Sequence, residues 1–131
     1  MRYPIDELID KRSIIQLKIE RIGDNSAKER ENLRREFQDY TDAISEYVSE
    51  GVCTAEQAEE WHERLYKANG TTWDLETKIR RGQLEEISLE EVGRTAIAIR
   101  ESNGVRVRIK AEIVSATGIG YKDVKINHAS E

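Results

Sequence analysis

Hydrophobic residues recur at spacings of three and four along most of this chain, which is the period of an amphipathic α-helix. The first helix is predicted from about Pro4 to Ile22, with Gly23 directly after it. Proline suits the first turn of a helix, and glycine suits the position that follows the last turn. The apolar stripe of this helix consists of Leu8, Ile15, Ile19 and Ile22.

The second helix has the most regular helical period in the sequence. It begins at Ser26, where Glu29 completes a capping box, and it ends at Gly51. The residues of its stripe are large and mostly apolar, so one face of the helix is expected to be buried. They are Leu33, Phe37, Tyr40, Ile44, Tyr47 and Val48.

A capping box formed by Thr54 and Gln57 opens the third helix, and Gly82 is expected to lie just beyond its end. The stripe alternates between spacings of four and three, at Trp61, Leu65, Ala68, Thr72, Leu75 and Ile79. Gly70 falls on the side opposite this stripe. We therefore expect it to cost about 1 kcal/mol of helix propensity without affecting the packing.

The stretch Glu90–Val114 is compatible with two structures. As a strand pair, Asn103 and Gly104 would form a tight turn between alternating runs, a strong hairpin signal. As a helix, it follows a capping box at Ser88 and reaches about Ala116. We favour the helix, because an isolated hairpin among helices would have no sheet to join. The stripe of this fourth helix is Val92, Ala96, Ile99, Ile113 and Val114.

Together these elements predict an all-α fold. Residues 1–117 are expected to form an antiparallel bundle of about four long helices with coiled-coil-like packing. Residues 118–131 lack a helical period and are predicted to form a short extended tail. Long helices with narrow apolar stripes bury more surface when they share it between chains. We therefore expect a homodimer or a higher homo-oligomer.

Composition narrows the class of protein. Charged residues make up 36% of the chain, against roughly 25% in an average globular protein. The net charge of −5 argues against a nucleic-acid partner. The single cysteine, Cys53, excludes an intrachain disulfide and fits a reducing, cytoplasmic setting. No apolar run approaches the ~18 residues of a membrane-spanning helix, so no membrane partner is expected.

Polar side chains fall on or beside the apolar stripes of three predicted helices. Charged groups on a buried face are costly unless they are paired, so they usually mark something specific. Basic residues suit phosphate or carboxylate, asparagine amides orient a ligand, and an indole stacks on a ring. We therefore predict a site for a small anion, a nucleotide or another phosphorylated metabolite. Its ligand-binding residues are Lys11, Lys18, Asn69, Trp73, Glu76, Arg80, Asn103, Arg106 and Lys110.

A second hypothesis explains the same residues without a ligand. Long basic side chains often lie along apolar surface with their charged ends in water. Glu76 and Arg80 are four residues apart and can pair along one helix. Arg106 can pair with a carboxylate of another helix and so fix the register between them. The protein would then be a structural or oligomerisation module.

Catalytic and metal-binding patterns are sparse. Glu59 and His62 match one half of a helical di-metal site, but no second Glu-x-x-His exists in the sequence. We therefore interpret that pair as part of a solvated helical face. An enzyme that uses Glu76 as a base ranks last among the hypotheses, because the sequence offers no nucleophile or metal set. No catalytic residue, metal or cofactor is predicted.

Three segments, in order, resemble a family of small, uncharacterised helical proteins from bacteria and phages. They are Leu8-Ile9-Asp10-Lys11 with Lys18-x-Glu20-Arg21-Ile22, Asn69-x3-Trp73-x2-Glu76-x2-Ile79-Arg80, and Asn103-x2-Arg106-x2-Ile109-Lys110. The resemblance spans about residues 5–114. Such relatives typically lack the Asn-Gly pair, so the resemblance implies a helix through this region. It implies no established activity.

Overall fold

The structure is a computed structural model that describes residues 2–85 and 87–121. Within these residues it contains four α-helices and no strand, which confirms the all-α prediction. Of the predicted extended tail, residues 118–121 are described and residues 122–131 lie outside the described part of the chain. The helices are α1 (Ile5–Arg21), α2 (Ala27–Ser49), α3 (Ala55–Glu85) and α4 (Leu89–Thr117).

Consecutive helices run antiparallel, and α1 is the helix that the other three share. α2 packs on one side of α1, while α3 and α4 form a long hairpin that packs on the other side. The Tyr47 hydroxyl donates to the Tyr3 carbonyl oxygen at 2.8 Å, joining the end of α2 to the start of α1. Lys78 pairs with Glu91 near the connection of the hairpin, with 3.1 Å between Nζ and Oε1.

The buried part of α1 is wider than its predicted narrow stripe, because nine of its 17 residues are buried. Ile5 and Ile9 are 0% exposed and Leu17 is 1% exposed, although none of them belongs to that stripe. Ile19 and Ile22, which do belong to it, are only half-buried. Apolar residues outside a single stripe allow a helix to pack against more than one neighbour. The central position of α1 agrees with this spread of apolar residues.

The predicted stripes of α2 and α3 face the core, and burial decreases along α3. Trp61, Leu65 and Ala68 are buried, whereas Leu75 and Ile79 are only half-buried. Arg21, the last residue of α1, pairs with Asp74. The 11 residues of α3 after Asp74 therefore extend past the end of α1, by about 16 Å at 1.5 Å per residue. The α3–α4 hairpin projects from the bundle.

Two of the three predicted capping boxes position their helices. Thr54 Oγ1 accepts from the Gln57 backbone N–H at 3.0 Å, and Gln57 Oε1 accepts from the Thr54 N–H at 2.9 Å. Ser88 Oγ accepts from the Glu91 N–H at 3.1 Å. The box predicted at Ser26 is wrong, because its side chain makes no capping hydrogen bond.

α4 is a continuous helix through Asn103 and Gly104, so the helical prediction for this stretch is confirmed and the hairpin is excluded. It ends at Gly118, which adopts the left-handed conformation with φ 70°. The N–H of Gly118 donates to the Val114 carbonyl oxygen at 2.8 Å. This arrangement satisfies one of the carbonyls that a helix leaves open at its end.

Two glycines of α3 differ from their predicted roles. Gly82 lies inside α3 rather than beyond its end, and a Cβ there would be 2.3 Å from Ile87 Cδ1. The missing side chain lets Ile87 pack back onto the helix. Gly70 is buried against α1, not on an outer face, and a Cβ there would be 3.5 Å from Leu17 Cδ2. Only Gly82 is a close approach, since a Cβ at Gly70 would make an ordinary van der Waals contact with Leu17.

Cys53 is buried in the core, and burial raises the pKa of its thiol, which keeps it in the unreactive protonated form.

Among the described residues, no helix combines the length and the apolar character needed to span a membrane.

Two glycine substitutions test the packing at Gly82. Gly93 lies in α4 with nothing near a hypothetical Cβ, so Gly93→Ala should raise the free energy of unfolding by about 0.5–1 kcal/mol through helix propensity. Gly82→Ala gains the same propensity but forces Ile87 away, so its net effect should be zero or destabilising. Urea unfolding followed by circular dichroism measures both. Equal stabilisation by the two variants would contradict the close contact with Ile87.

Candidate functional site

The Asp10 carboxylate is the centre of a buried polar cluster between α1, α3 and α4. Its side chain is 2% exposed. Arg106 of α4 binds it at two points: Nε donates to Oδ1 at 3.0 Å, and Nη2 donates to Oδ2 at 2.6 Å. Bidentate hydrogen bonds between charged groups are strong and directional. This contact fixes both the distance and the rotation of α4 against α1.

Asn69 and Ser13 complete the hydrogen bonds around this carboxylate. Asn69 Nδ2 donates to Asp10 Oδ1 at 3.0 Å and to Ser13 Oγ at 2.9 Å. Ser13 Oγ donates to the Asp10 carbonyl oxygen at 2.7 Å. Because Asn69 belongs to α3, three helices meet at one carboxylate. We call Asp10, Ser13, Asn69 and Arg106 the Asp10 cluster.

Within the Asp10 cluster, Asp10 and Arg106 are both held in their charged forms. Burial on its own would raise the pKa of Asp10, but the hydrogen bonds from Arg106 and Asn69 outweigh it and lower that pKa below its usual value. The same hydrogen bonds to Asp10 raise the pKa of Arg106. An ionised pair in this position is stable because every acceptor of the carboxylate has a donor.

Lys110 extends the cluster by one turn of α4. Its Nζ lies 2.6 Å from Glu7 Oε1 and 4.0 Å from Asp10 Oδ2. Arg106 and Lys110 therefore face Glu7 and Asp10, two positive charges against two negative ones. The local charge is balanced by the chain itself, which leaves these two cations without excess charge for a ligand.

Asp6 lies beside this pair but differs from it. Its side chain is buried, and among the described residues its Oδ1 has no hydrogen-bond partner. Burial raises the pKa of Asp6, and Lys110 opposes that shift only in part. A Cβ on Gly120 would be 3.0 Å from Asp6 Oδ1, so the chain after α4 passes close to this carboxyl group.

A second buried network, centred on Arg12, joins α1 to α2 and α3. Arg12 Nε donates to His62 Nδ1 at 3.0 Å, Nη1 to Thr41 Oγ1 at 3.3 Å, and Nη2 to Glu59 Oε1 at 3.1 Å. His62 Nε2 lies 2.6 Å from Gln16 Oε1. These contacts require the neutral histidine, with Nδ1 as acceptor and Nε2–H as donor.

His62 is therefore not part of a solvated face, as its sequence neighbourhood had suggested. It is 5% exposed, and only Glu59 of that pair is exposed. Burial, followed by the nearby charge of Arg12, lowers the pKa of His62 to about 4. Among the described residues, no group of three or more metal-binding side chains converges.

The structure brings together three of the nine residues predicted to bind a ligand. Asn69, Arg106 and Lys110 meet around Asp10. Lys11 lies over the Tyr3 ring instead, with Nζ 5.6 Å from the ring centroid. Four others lie at exposed positions: Lys18, Glu76, Arg80 and Asn103.

Trp73 is half-buried, and a side chain of α1 already covers its ring. The guanidinium carbon of Arg21 lies 5.6 Å from the ring centroid of Trp73, a cation–π contact. A base or sugar ring that stacked on this face of the indole would have to displace Arg21. This contact joins the end of α1 to α3.

The carboxylate at the centre of the cluster was missed in the sequence. Asp10 directly follows Leu8 and Ile9, two apolar residues of α1, and this was the available signal. Helical phase shows which residues share one face, but it does not show which two helices meet. Glu7, the partner of Lys110, was missed for the same reason.

The outer side of the α3–α4 hairpin carries an open groove of about 650 Å³. Its floor is apolar and includes Ala68, Leu75, Ala98, Val105 and Ile109. Its rim is charged and includes Arg64, Lys67, Glu101 and Arg108. We call this feature the hairpin groove. It lies on the opposite edge of α4 from Arg106, so it is separate from the Asp10 cluster.

Comparisons of the chain with models of protein families, with curated proteins and with solved structures give no match. The resemblance to small helical proteins of bacteria and phages therefore stays a prediction.

Removal of the buried carboxylate should be costly. Asp10→Ala leaves Arg106 and Asn69 without their acceptor, so we expect a loss of about 3 kcal/mol in the free energy of unfolding. The matched control is Glu31→Ala, which breaks an exposed pair with Arg35 of 3.0 Å and should cost less than about 0.5 kcal/mol. Urea unfolding measures both. Similar losses in the two variants would contradict a buried structural role for Asp10.

His62 should make stability depend on pH. The folded protein keeps His62 neutral down to about pH 4, whereas the unfolded chain takes up a proton below pH ~6.5. The unfolded state therefore binds more protons in this window, and stability falls as the pH drops from about 6.5 to 4, by roughly 2–3 kcal/mol.

The control for this effect is His62→Gln, which keeps an acceptor for Arg12 but cannot titrate. Urea unfolding at pH 7 and at pH 4.5 should show a smaller loss in this variant than in the wild type. Both proteins carry the same carboxylates, so the difference between them reports on His62. An identical pH dependence would contradict a buried neutral histidine.

Proposed function

We propose that this protein is a non-enzymatic interaction module that assembles with copies of itself through the α3–α4 hairpin. The observation that carries this proposal is the hairpin groove, an open groove of about 650 Å³ with an apolar floor on a projecting pair of helices. Contiguous exposed apolar surface with a charged rim is typical of protein–protein contact sites.

The contacts of the two polar clusters favour a structural role over ligand binding. Around Asp10, Arg106 and Lys110 each face a carboxylate of the same chain, and the same holds for Arg12 with Glu59. Buried ionic groups of this kind are well suited to fix the register of packed helices. A rigid frame would hold the hairpin groove in one shape, which lowers the entropic cost of association.

The small-anion hypothesis requires the same residues to bind a ligand instead of one another. A phosphate group at Arg106 or Lys110 would have to compete with Asp10 and Glu7 for donors that are already bound. A thermal-shift panel of inorganic phosphate and nucleotides compares the two hypotheses. If the protein is an interaction module, none of these anions should raise its melting temperature more than a simple salt at the same ionic strength does. A larger rise with one of these anions would favour the ligand site.

Self-association should depend on one edge of α4 and not on the other. Val105 is 39% exposed in the hairpin groove, and Val107 is 49% exposed on the far side of α4. Light scattering after gel filtration should give about twice the chain mass of 15.1 kDa for the wild type. We expect Val105→Asp to give a folded monomer, because a carboxylate on the groove floor would be desolvated by a partner.

Val107→Asp is the matched control, since it introduces the same charge two residues away and should leave the oligomer intact. Circular dichroism confirms that both variants keep their helices. A wild-type protein that stays monomeric at all accessible concentrations would contradict the proposed function.

A further inference from the structure

We propose that two copies of the chain associate through α4, antiparallel, about a two-fold axis beside Gly104, with Glu101 of each copy paired with the partner's Arg108. This inference rests on the proposed function and deepens it by naming the surface and its register. It is carried by the pattern of charge and shape along one stripe of α4.

The stripe runs along the edge of α4 that α1 leaves open. Ile97, Glu101, Gly104 and Arg108 follow one another at spacings of four, three and four, so they share one face of the helix. Val105 lies beside them on the floor of the hairpin groove. Glu101, Val105 and Arg108 also line a second hollow that α4 forms on its own, so the exposed surface continues around the helix.

Glu101 and Arg108 make this stripe complementary to itself. They lie seven residues apart, about 10 Å along the helix axis. Both side chains are exposed, and no ion pair within the described part of the chain includes either of them. An antiparallel partner with its two-fold axis midway between them places both opposite-charge pairs together at once. A parallel partner in register would place like charges together.

The shape of the stripe fits the same register. Gly104 then faces the partner's Val105, so the missing side chain of one helix receives the apolar side chain of the other. A Cβ at Gly104 would meet only the Arg108 guanidinium, at 3.6 Å, so this helix does not need glycine for its own packing. Ile97, which is 60% exposed, lies at the end of the contact and would be partly covered.

Charge reversal gives a direct test by sedimentation equilibrium. Glu101→Arg and Arg108→Glu each place two like-charge pairs in the interface, so each variant alone should dimerise at least tenfold more weakly than the wild type. An equimolar mixture of the two should form a heterodimer, because both of its pairs are then attractive. Native mass spectrometry identifies that heterodimer, and the double variant E101R/R108E should again form a homodimer.

Matched controls remove the effect of net charge. Arg34→Glu and Glu36→Arg change the charge by the same amounts on the exposed face of α2 and should leave dimerisation unchanged. Gly104→Leu supplies a second test: it should weaken the dimer at least tenfold while circular dichroism shows a fully folded monomer.

The outcomes separate the two proposals. A monomeric wild type would overturn the proposed function itself. A dimeric wild type whose charge variants self-associate normally, or fail to associate when mixed, would overturn the α4 register and leave the interaction module standing. The expected pattern is weak self-association of each variant, recovery in the mixture and recovery in the double variant.

Discussion

A carboxylate that is 2% exposed stays ionised inside a protein only where donors replace its water, and Asp10 meets this condition with donors from two other helices. The guanidinium of Arg106 in α4 donates two hydrogen bonds, and the side-chain amide of Asn69 in α3 donates one. If α4 slid by one turn along α1, the carboxylate would lose Arg106 and become an unpaired buried charge, and if α3 slid, the carboxylate would lose its hydrogen bond from Asn69. The relative register of α1, α3 and α4 therefore depends on this one group.

A second buried charge, of the opposite sign, lies on the other side of α1 and is also bound by residues of two other helices. Arg12 lies two residues after Asp10, a rotation of about 200° around the helix, and it binds Thr41 of α2 and Glu59 of α3. A helix that is surrounded by neighbours has little solvent to orient it, so apolar packing alone leaves its rotation weakly specified. The two buried charges select one rotation, and burial, together with the charge of Arg12, lowers the pKa of His62 and holds it neutral.

The sequence predicted most of the fold because helix boundaries are local. Capping boxes at Thr54 and Ser88, and a glycine at position 118, mark helix ends through hydrogen bonds within a few residues. Gly82 was misplaced because a glycine can also serve tertiary packing, here the approach of Ile87, and that contact is invisible to local rules.

The candidate site was harder to predict than the fold, because it depends on which helices meet. Arg106 was correctly singled out as a polar residue on an apolar face, and its partner lies 96 positions earlier in the chain. No periodicity within one helix identifies such a partner. Lys18 and Arg80 share the helical phase of the site residues but lie at exposed positions.

The same contact connects the interior of the protein to its proposed surface. Because Arg106 turns toward Asp10, the stripe that holds Glu101 and Arg108 is left on an open edge of α4. The central claim, that the polar cluster joins helices rather than holding a ligand, is tested most directly by a double-mutant cycle of Asp10→Asn and Arg106→Met in urea unfolding at fixed protein concentration. The account predicts a coupling energy of about 2 kcal/mol between the two positions. Losses that add to within about 0.5 kcal/mol would contradict it.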